Sequence, residues 1–287
     1  MATYDDPART VLSDDGEAPA PAAPVGGDLV YRQRRPVRLW HWLNALSIFV
    51  LLMSGMMIFN AHPHLYWGRY GANQDMPWLE IGAHDDQGYL RVGPLTVPTT
   101  GFLGVAGGQH RAFPPLVTIP SSYNLAGARQ WHFFFAWLLV VPGLLFWAWG
   151  VVSRHVQHDL APTAEELRPR NLWQDIKDHA RLRFHTGEAA RRYNILQKLS
   201  YVGVIFGLLP IIVLTGLTMS PSTDAAWPWL IDLFGGRQSA RSVHFICAAL
   251  LAGFIVVHLT MVVLAGSLNE LRSIITGWYR LPKERGQ

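Results

Sequence analysis

Four of the twelve histidines lie inside or at the mouth of a predicted membrane span: His41, His132, His244 and His258. An ionisable side chain at membrane depth usually faces the protein interior and has a function. His244 and His258 are 14 residues apart, which on an α-helix is about 40° short of four full turns, so they share one helix face at two depths. The single cysteine, Cys247, excludes a disulfide framework, a cysteine-held iron–sulfur cluster and covalently attached haem. A redox centre in this chain would therefore be held by histidine.

The elements that position these histidines follow from the distribution of charge. Half of the 287 residues are apolar and only 15% are charged, against about a quarter in ordinary soluble proteins. Four uncharged runs exceed the roughly 20 residues that a membrane-spanning helix needs: 39–68, 130–153, 199–223 and 242–269. Two further runs, 92–110 and 112–128, hold glycines and prolines that would leave backbone groups unpaired in lipid. We predict irregular connections there and an all-α fold: an integral membrane four-helix bundle with spans near 38–59, 130–152, 196–219 and 242–266.

The basic residues predict how this bundle is oriented, because short cytoplasmic segments retain Lys and Arg. Eighteen of the 24 fall in the N-terminal flank, in the second connection up to Lys198 and in the C-terminal tail. Both termini and the connection 154–194 are therefore predicted to be cytoplasmic, and the connection 60–129 periplasmic, in a bacterial inner membrane. This asymmetry explains the sequence pI near 9.4 without any role for nucleic acid.

The same pattern divides the chain into domains. Residues 1–28 are predicted to form a disordered cytoplasmic tail, 29–280 the membrane domain and 281–287 a second cytoplasmic tail. Within the cytoplasmic connection, residues 171–182 are predicted to form a short surface helix that places basic side chains against anionic lipid.

Topology pairs the four histidines at two depths. His41 and His258 lie near the cytoplasmic ends of the first and fourth spans, whereas His132 and His244 lie near the outer ends of the second and fourth. Two imidazoles on facing helices at one depth suit axial ligation of haem iron, whereas zinc needs three or four ligands in one place. We therefore predict two b-type haems. Gly55 would leave room for the outer one, although small residues also simply allow close helix packing.

Four segments carry a family resemblance: Arg38-Leu-Trp-His41-Trp-Leu-Asn44-Ala45, Gln130-Trp-His132, Tyr193-Asn194-x-x-Gln197-Lys198, and Ser242-Val-His244 with His258 14 residues later. Over about residues 30–280 the chain resembles the dihaem cytochrome b subunits of thiosulfate reductases, formate dehydrogenases and nickel–iron hydrogenases, and it is most similar to the thiosulfate-reductase-type group. The resemblance implies that His41 and His258 hold the cytoplasmic-side haem and that His132 and His244 hold the periplasmic-side haem.

Polar residues at the cytoplasmic level are candidates for contact with a membrane quinone, either menaquinone or ubiquinone, because its carbonyls need hydrogen-bond donors near a haem. The resemblance implies Asn194 in this pocket, and Gln197 lies one turn farther along. The first span offers Arg38 and Asn44, and for Arg38 contact with a haem propionate and simple anchoring at the membrane surface are the alternatives. The family's glycine two residues after the asparagine is Leu196 here, so the shape of the family's pocket does not transfer directly.

Two arginines are candidates for contact with the propionates of the outer haem. Arg129 and Arg241 each precede an outer histidine by three residues, which places each about one helical turn farther out. A cation there would favour a propionate. The alternative is ordinary snorkelling of long side chains toward the membrane surface.

The connection 60–129 is much longer than its counterpart in formate dehydrogenases and is rich in aromatic residues, which predicts an ordered cap. Its four histidines are interpreted as solvated or partner-contacting rather than as a third metal site: His62, His64, His84 and His110. The predicted partner at this surface is a periplasmic molybdenum or iron–sulfur oxidoreductase. The predicted function is electron transfer between membrane quinone and that partner, which would carry the substrate chemistry.

Two other classes of function are alternatives. A stand-alone superoxide:quinone oxidoreductase is the main alternative, because small four-helix dihaem cytochromes b share this histidine arrangement. A non-redox anchor or transporter is disfavoured, since the sequence shows no transporter repeat, and Pro142 and Pro210 are single kinks that bundles tolerate.

Overall fold

The computed structural model describes residues 27–72, 74–156, 160–181 and 194–281. Four helices are long and apolar enough to cross a membrane: Arg35–Phe59, Leu125–Val152, Ile195–Thr218 and Arg237–Thr276. The four predicted spans coincide with these helices, except that the fourth helix continues well past the predicted end. The structure does not describe the tails before residue 27 and after residue 281, or residues 157–159 and 182–193. The predictions for these segments therefore lie outside the described residues.

Local sequence explains where the first two spans begin. The first span, α1 (Arg35–Phe59), has Pro36 in its first turn, where the missing N–H costs no helical hydrogen bond. The second span, α2 (Leu125–Val152), begins after Asn124, whose side-chain oxygen accepts a hydrogen bond from the Gly127 N–H at 2.9 Å. Pro142 lies inside α2 without ending it.

The third and fourth spans contain irregular turns at glycine or proline. The third consists of α4 (Ile195–Val202), a π-helical turn (Gly203–Leu208) and α5 (Leu209–Thr218). The wide turn ends two residues before Pro210, which cannot donate a backbone hydrogen bond. The fourth, α8 (Arg237–Thr276), is interrupted at Gly266 (φ 106°) and ends at Gly277 in the left-handed conformation.

One buried residue from each span meets in the middle of the bundle: Ile48, Leu139, Leu209 and Leu251. This layer lies along α1 between His41 and Ser54, so it separates the two ends of the bundle. We call the end that carries the connection between α1 and α2 the cap end. The opposite end, where the N- and C-terminal segments meet, is the tail end.

The tail end is closed by short elements from both ends of the described chain. Strand β1 (Leu29–Tyr31) pairs antiparallel with β8 (Trp278–Arg280). Arg32 forms an ion pair with Glu270 of α8 at 3.7 Å. The surface helix expected at 171–182 is present as α3 (Pro169–Ala180).

The all-α expectation is wrong for the cap, the connection from Asn60 to Asn124, because β-strands form most of its regular structure. A four-stranded antiparallel sheet is built from β2 (His64–Leu65), β3 (Leu79–His84), β4 (Gln87–Val92) and β5 (Leu95–Pro98), and a hairpin from β6 (Gly104–Ala106) and β7 (Gln109–Arg111). Between this hairpin and α2 lies a short 3₁₀ turn (Pro115–Val117). On the same side of the bundle, α6 (Pro221–Ala226) and α7 (Trp229–Leu233) connect the third and fourth spans.

The glycines that favoured an irregular connection in fact serve the hairpins. Gly107 and Gly108 both have positive φ and form the two-residue turn between β6 and β7. A Cβ at Gly104 would lie 2.0 Å from the Gly82 carbonyl oxygen, so only glycine allows the hairpin to approach the sheet this closely. The cap has its own apolar core, which reaches down to Phe59 of α1 and Phe245 of α8.

Candidate functional site

His132 of α2 and His244 of α8 face each other at the cap end. Their ring centroids are 6.3 Å apart, and the ring planes are inclined by 53°. We call these two residues the cap-end pair. They come from helices that are far apart in sequence, and the structure brings them together as the topology predicted.

A hydroxyl group orients each ring of the cap-end pair. Ser54 Oγ lies 3.0 Å from His132 Nδ1 and 2.7 Å from the Val50 carbonyl oxygen. Since the carbonyl can only accept, the single hydroxyl proton goes to Val50, and the oxygen accepts a hydrogen bond from Nδ1–H of His132. This tautomer leaves the lone pair on Nε2, the nitrogen that then remains for a metal ion.

The same arrangement is repeated on the other side of the pair. Thr215 Oγ1 lies 3.1 Å from His244 Nδ1 and 2.8 Å from the Ile211 carbonyl oxygen. The hydroxyl therefore accepts from Nδ1–H of His244, and Nε2 again keeps its lone pair. The sequence alone did not single out either hydroxyl residue. Their role as hydrogen-bond acceptors was missed, although a Ser-Gly and a Thr-Gly pair inside two spans was the available signal.

A glycine follows each hydroxyl residue and contacts the same ring. A Cβ added at Gly55 would lie 3.4 Å from His132 Cε1, and one at Gly216 would lie 3.4 Å from His244 Cε1. The glycines thus let the imidazoles lie close against the backbones of α1 and α5. Gly55 was predicted to leave room for a haem, and the structure places it directly against the ring of a candidate ligand.

His41 of α1 and His258 of α8 form the corresponding tail-end pair. Their ring centroids are 6.5 Å apart, with an inclination of 57°. Among the described residues, His41 Nδ1 is buried without a hydrogen-bond partner. The neighbours of this pair are aromatic: Trp42 contacts His41 edge-on at 5.3 Å, and Phe254 stacks on His258 at 5.7 Å.

The spacing in both pairs fits one metal ion between two imidazoles. A bound imidazole nitrogen lies about 2.0–2.1 Å from the metal and the ring centre roughly 1.1 Å farther out, so two rings on opposite sides of one ion have centres about 6.2–6.4 Å apart. The measured separations are 6.3 and 6.5 Å. In the part of the chain that the structure describes, no three His, Cys, Asp or Glu side chains cluster as a metal site. Two protein donors per site would suit a metal ion that a macrocycle already holds, and they do not suit zinc.

The three candidate arginines have different surroundings. Arg38 donates a hydrogen bond to the Ile275 carbonyl, while its Nε is buried without a partner among the described residues. Arg129 lies over the Phe133 ring at 5.8 Å. Arg241 donates to the carbonyls of His62 and His64. Arg241 therefore fastens the cap to α8, a role that the sequence did not indicate.

The two quinone candidates of the third span form the N-terminal cap of α4. Asn194 Oδ1 accepts a hydrogen bond from the Gln197 N–H at 2.8 Å, and the Gln197 side chain accepts from the Asn194 N–H at 3.3 Å. This reciprocal pair is a capping box, which fixes the start of the helix. Next to it, the buried Lys198 ammonium donates to both carboxylate oxygens of Glu166, at 2.8 and 2.9 Å.

The comparisons with known proteins agree with this geometry. A family model described as prokaryotic cytochrome b561 matches residues 32–277. A protein of Azospira oryzae that is named as a protein-methionine-sulfoxide reductase subunit, YedZ1, is 28% identical and covers 79% of this chain and 88% of its own. A protein of Azotobacter vinelandii named as a Ni/Fe-hydrogenase B-type cytochrome subunit is 24% identical, with coverages of 89% and 90%. Cytochrome YdhU of Escherichia coli is 24% identical, with coverages of 88% and 76%.

No solved structure matches the chain. The family model nevertheless spans all four membrane helices and both histidine pairs. The chain belongs to the prokaryotic cytochrome b561 family, and it is therefore an integral membrane protein that binds b-type haem and transfers electrons.

Proposed function

We propose that this protein carries two b-type haems, one held by the cap-end pair His132 and His244 and the other by the tail-end pair His41 and His258. One observation carries the proposal: two separate imidazole pairs, one toward each end of the bundle, each have a centroid separation that fits a single iron. When bound, haem supplies reversible one-electron exchange. Two haems at two depths would connect the two faces of the membrane.

The chain's own residues orient the ligands. Ser54 and Thr215 accept Nδ1–H of the cap-end pair, so both Nε2 lone pairs are available before any metal binds. A hydrogen-bonded Nδ1–H also makes the imidazole a stronger base toward the metal. Arg129 remains the candidate for a propionate at this end, whereas the Arg241 guanidinium is engaged by the carbonyls of His62 and His64.

A membrane quinone, menaquinone or ubiquinone, is the proposed substrate at the tail end. On α1, Arg38 Nε and Asn44 Oδ1 are buried without a partner among the described residues. These atoms lie within one turn of His41 on either side, and they offer a donor for a quinone carbonyl and an acceptor for a quinol hydroxyl. Asn194 and Gln197 stay candidates, but the helix cap already uses both side chains.

The proposed partner is a periplasmic molybdenum or iron–sulfur oxidoreductase that docks on the cap. The support is that two relatives are named as subunits, one of a reductase and one of a hydrogenase. The proposed orientation puts the cap in the periplasm and both termini in the cytoplasm of a bacterium with this chain in its inner membrane. The cap, with its sheets and its own core, is a folded surface of the kind that a partner subunit needs.

The experiment that tests the proposal uses protein purified from its native membrane in mild detergent. A pyridine haemochrome assay is expected to give two haem b per polypeptide. Addition of a short-chain quinol should reduce both haems, and a second subunit with molybdenum or iron–sulfur content should copurify. A single haem per chain would overturn the two-haem proposal. Rapid haem reduction by superoxide, followed by quinone reduction without any partner, would replace the subunit role with a superoxide:quinone oxidoreductase.

A further inference from the structure

Arg111, the last residue of β7, is a buried cation of the cap that takes no part in the candidate haem or quinone contacts. The residue is only 7% exposed. Burial lowers the pKa of its guanidinium, but an arginine side chain stays protonated in proteins. Moving a charge out of water costs free energy unless an opposite charge compensates it. The position of this cation therefore needs a physical reason.

The guanidinium of Arg111 contacts only neutral groups. Nε donates a hydrogen bond to the Phe113 carbonyl at 2.7 Å, and Nη1 donates to the Ser121 carbonyl at 3.1 Å. Nη2 donates to Thr118 Oγ1 at 2.9 Å and lies 3.7 Å from the Met57 sulfur. Among the described residues, no carboxylate forms an ion pair with Arg111. Hydrogen bonds thus satisfy the donors, but no nearby anion neutralises the charge.

Two other cations with largely buried side chains are neutralised locally. Arg32 pairs with Glu270 at 3.7 Å, and Lys198 pairs with Glu166 at 2.8 Å. An ion pair of this kind has little net charge, so its field falls off quickly with distance. Arg111 differs because its full positive charge acts on whatever lies nearby.

The cap-end pair lies about one helical turn from this charge. Met57, which Nη2 of Arg111 contacts, follows Ser54 by three residues on α1. Ser54 Oγ in turn accepts Nδ1–H of His132. One turn of helix and one side chain put the guanidinium on the order of 10 Å from the ring of His132.

The loop after β7 is fastened to α1 on both sides of this contact. The Phe113 N–H donates to Asn60 Oδ1 at 2.7 Å, one turn farther out on α1. The Ile119 N–H donates to the Met53 carbonyl at 3.2 Å, one turn farther in. The two attachments hold the Arg111 side chain at a fixed distance from the cap-end pair.

We propose that Arg111 raises the midpoint potential of the haem held by the cap-end pair. The proposal rests on the proposed function, because it requires a haem at His132 and His244. Reduction of ferric to ferrous haem takes up one electron, which the quinol of the proposed function supplies, and removes one positive charge at the iron. A fixed cation nearby disfavours the ferric form and so favours reduction.

Coulomb's law gives the size of this effect. A unit charge on the order of 10 Å away, at an effective dielectric constant of about 20, changes such an equilibrium about tenfold. For a one-electron couple, a tenfold change is about 59 mV. The charge of Arg111 thereby draws the electron toward the cap end, where the proposed partner docks.

The test compares Arg111→Gln with Arg111→Lys in the purified holoprotein. Both substitutions remove the planar guanidinium and its fork of hydrogen bonds, but lysine keeps the charge. Redox titration of the visible spectrum gives the midpoints, and the step that is missing in His132→Ala identifies the cap-end haem. Arg111→Gln should lower the cap-end midpoint by about 59 mV, which is the tenfold change. Arg111→Lys should stay close to the wild type.

Arg69→Gln is the matched control. Arg69 is an arginine of the same cap, but its side chain is exposed and pairs with Asp232 at 2.8 Å. Solvent and salt screen an exposed charge, so Arg69→Gln should leave both midpoints unchanged. Equal cap-end midpoints in Arg111→Gln and Arg111→Lys would mean that the charge of residue 111 has no effect, and would overturn the inference.

A second pair of variants decides the question if Arg111→Gln fails to fold. Thr118→Asp places a carboxylate where Thr118 Oγ1 now accepts from Nη2 of Arg111, so it neutralises the cation without removing it. Thr118→Asn is the uncharged match. Only Thr118→Asp should lower the cap-end midpoint about tenfold in the equilibrium constant, and equal midpoints in the two variants would again overturn the inference.

The haem count separates this inference from the proposed function. Two haems per chain, with no difference between the charged and uncharged variants, would overturn only the inference. A single haem that is lost in His132→Ala and shifted in Arg111→Gln would overturn only the two-haem proposal. A haem content that His132→Ala does not change would overturn both.

Discussion

The two histidine pairs differ in how the protein holds them. At the cap end, each imidazole donates Nδ1–H to a hydroxyl, from Ser54 or Thr215, and lies against a glycine. At the tail end, His41 Nδ1 is buried without a partner among the described residues, and the neighbours of the pair are the aromatic rings of Trp42 and Phe254. Two hydrogen bonds, one from each imidazole to a hydroxyl, thus fix the cap-end pair. Packing against aromatic rings positions the tail-end pair.

This difference separates two ways of preparing a ligand. A hydrogen bond to Nδ1–H selects the tautomer and the ring rotation before a metal arrives, and it strengthens the ligand. When packing alone holds an imidazole, either ring nitrogen can carry the proton. The tautomer is then selected only when the metal binds. The proposed cap-end haem should therefore depend on two hydroxyl groups, and the proposed tail-end haem on neither of them.

The largest expected effect comes from removing a ligand of one pair. His132→Ala should abolish the cap-end haem and leave the tail-end haem, because the layer of Ile48, Leu139, Leu209 and Leu251 separates the two ends. The haemochrome count should fall from two to one per chain. The remaining haem should still be reduced by a short-chain quinol.

His84→Ala is the control for this variant. His84 lies in the cap with an 85% exposed side chain beside Asp85, so its loss should leave both haems in place. If His132→Ala removed both haems while the bundle stayed folded, as judged by circular dichroism, the pairing of histidines within each end would be wrong.

A smaller effect is expected when the hydroxyl partner is removed. Ser54→Ala deletes the hydroxyl acceptor of His132 Nδ1–H and leaves only the Leu51 carbonyl near this ring. Loss of such a partner typically weakens metal binding about 10- to 100-fold. With less electron donation from the imidazole, the ferric state of the cap-end haem is less stabilised, so its midpoint potential should rise. Redox titration of the visible spectrum measures both potentials, and only one of them should move.

Ser47→Ala provides a control on the same helix. Ser47 is fully buried, and its Oγ has no partner among the described residues, so its removal should leave the cap-end potential unchanged. Equal shifts in Ser54→Ala and Ser47→Ala would mean that the effect comes from packing of α1. The contrast between the two ends would then lose its basis in hydrogen bonding.

The histidine pairs could be predicted from sequence because a membrane restricts the chain to a few helices whose direction alternates. Once the spans are known, the position of His41, His132, His244 and His258 along each span fixes its depth. The hydroxyl contacts could not be predicted in this way, since they depend on helix rotation and on approach within about 3 Å. A serine in a span has the alternative of bonding its own helix, and Ser54 does both.

In the cap, the strands could not be predicted because the same residues fit more than one structure. Glycine and proline exclude a membrane helix but favour hairpin turns as well as irregular loops. The dipeptide Gly107-Gly108, a pair typical of two-residue hairpin turns, was the available hairpin signal. The motif at Asn194 and Gln197 has a similar ambiguity, because the spacing that a family resemblance links to quinone also forms a capping box. Only the hydrogen bonds of these side chains can distinguish a capping box from a quinone contact.

The smallest effect is expected at the ion pair between Lys198 and Glu166, next to the start of α4. Burial alone would raise the pKa of Glu166, but hydrogen bonds from Lys198 and Thr163 outweigh it and hold the pKa below its ordinary value of 4.5. A carboxyl with a lowered pKa in the folded state stabilises the protein above its ordinary pKa, and this stabilisation is lost as the pH falls through the folded-state value. Because the Glu166 side chain is 34% exposed, the pair contributes at most about 1 kcal/mol.

Glu166→Gln should therefore lower the thermal unfolding midpoint in detergent by about 2 °C at pH 7. At a pH below the folded-state pKa, the midpoints of the variant and the wild type should converge, because the wild-type carboxyl is then protonated as well. Glu165→Gln changes the neighbouring exposed carboxylate and should match the wild type at both pH values. If the lower unfolding midpoint of Glu166→Gln persisted in acid, side-chain shape and not charge would hold residue 166 against Lys198. The tail end would then rely on packing here, as it does around His41.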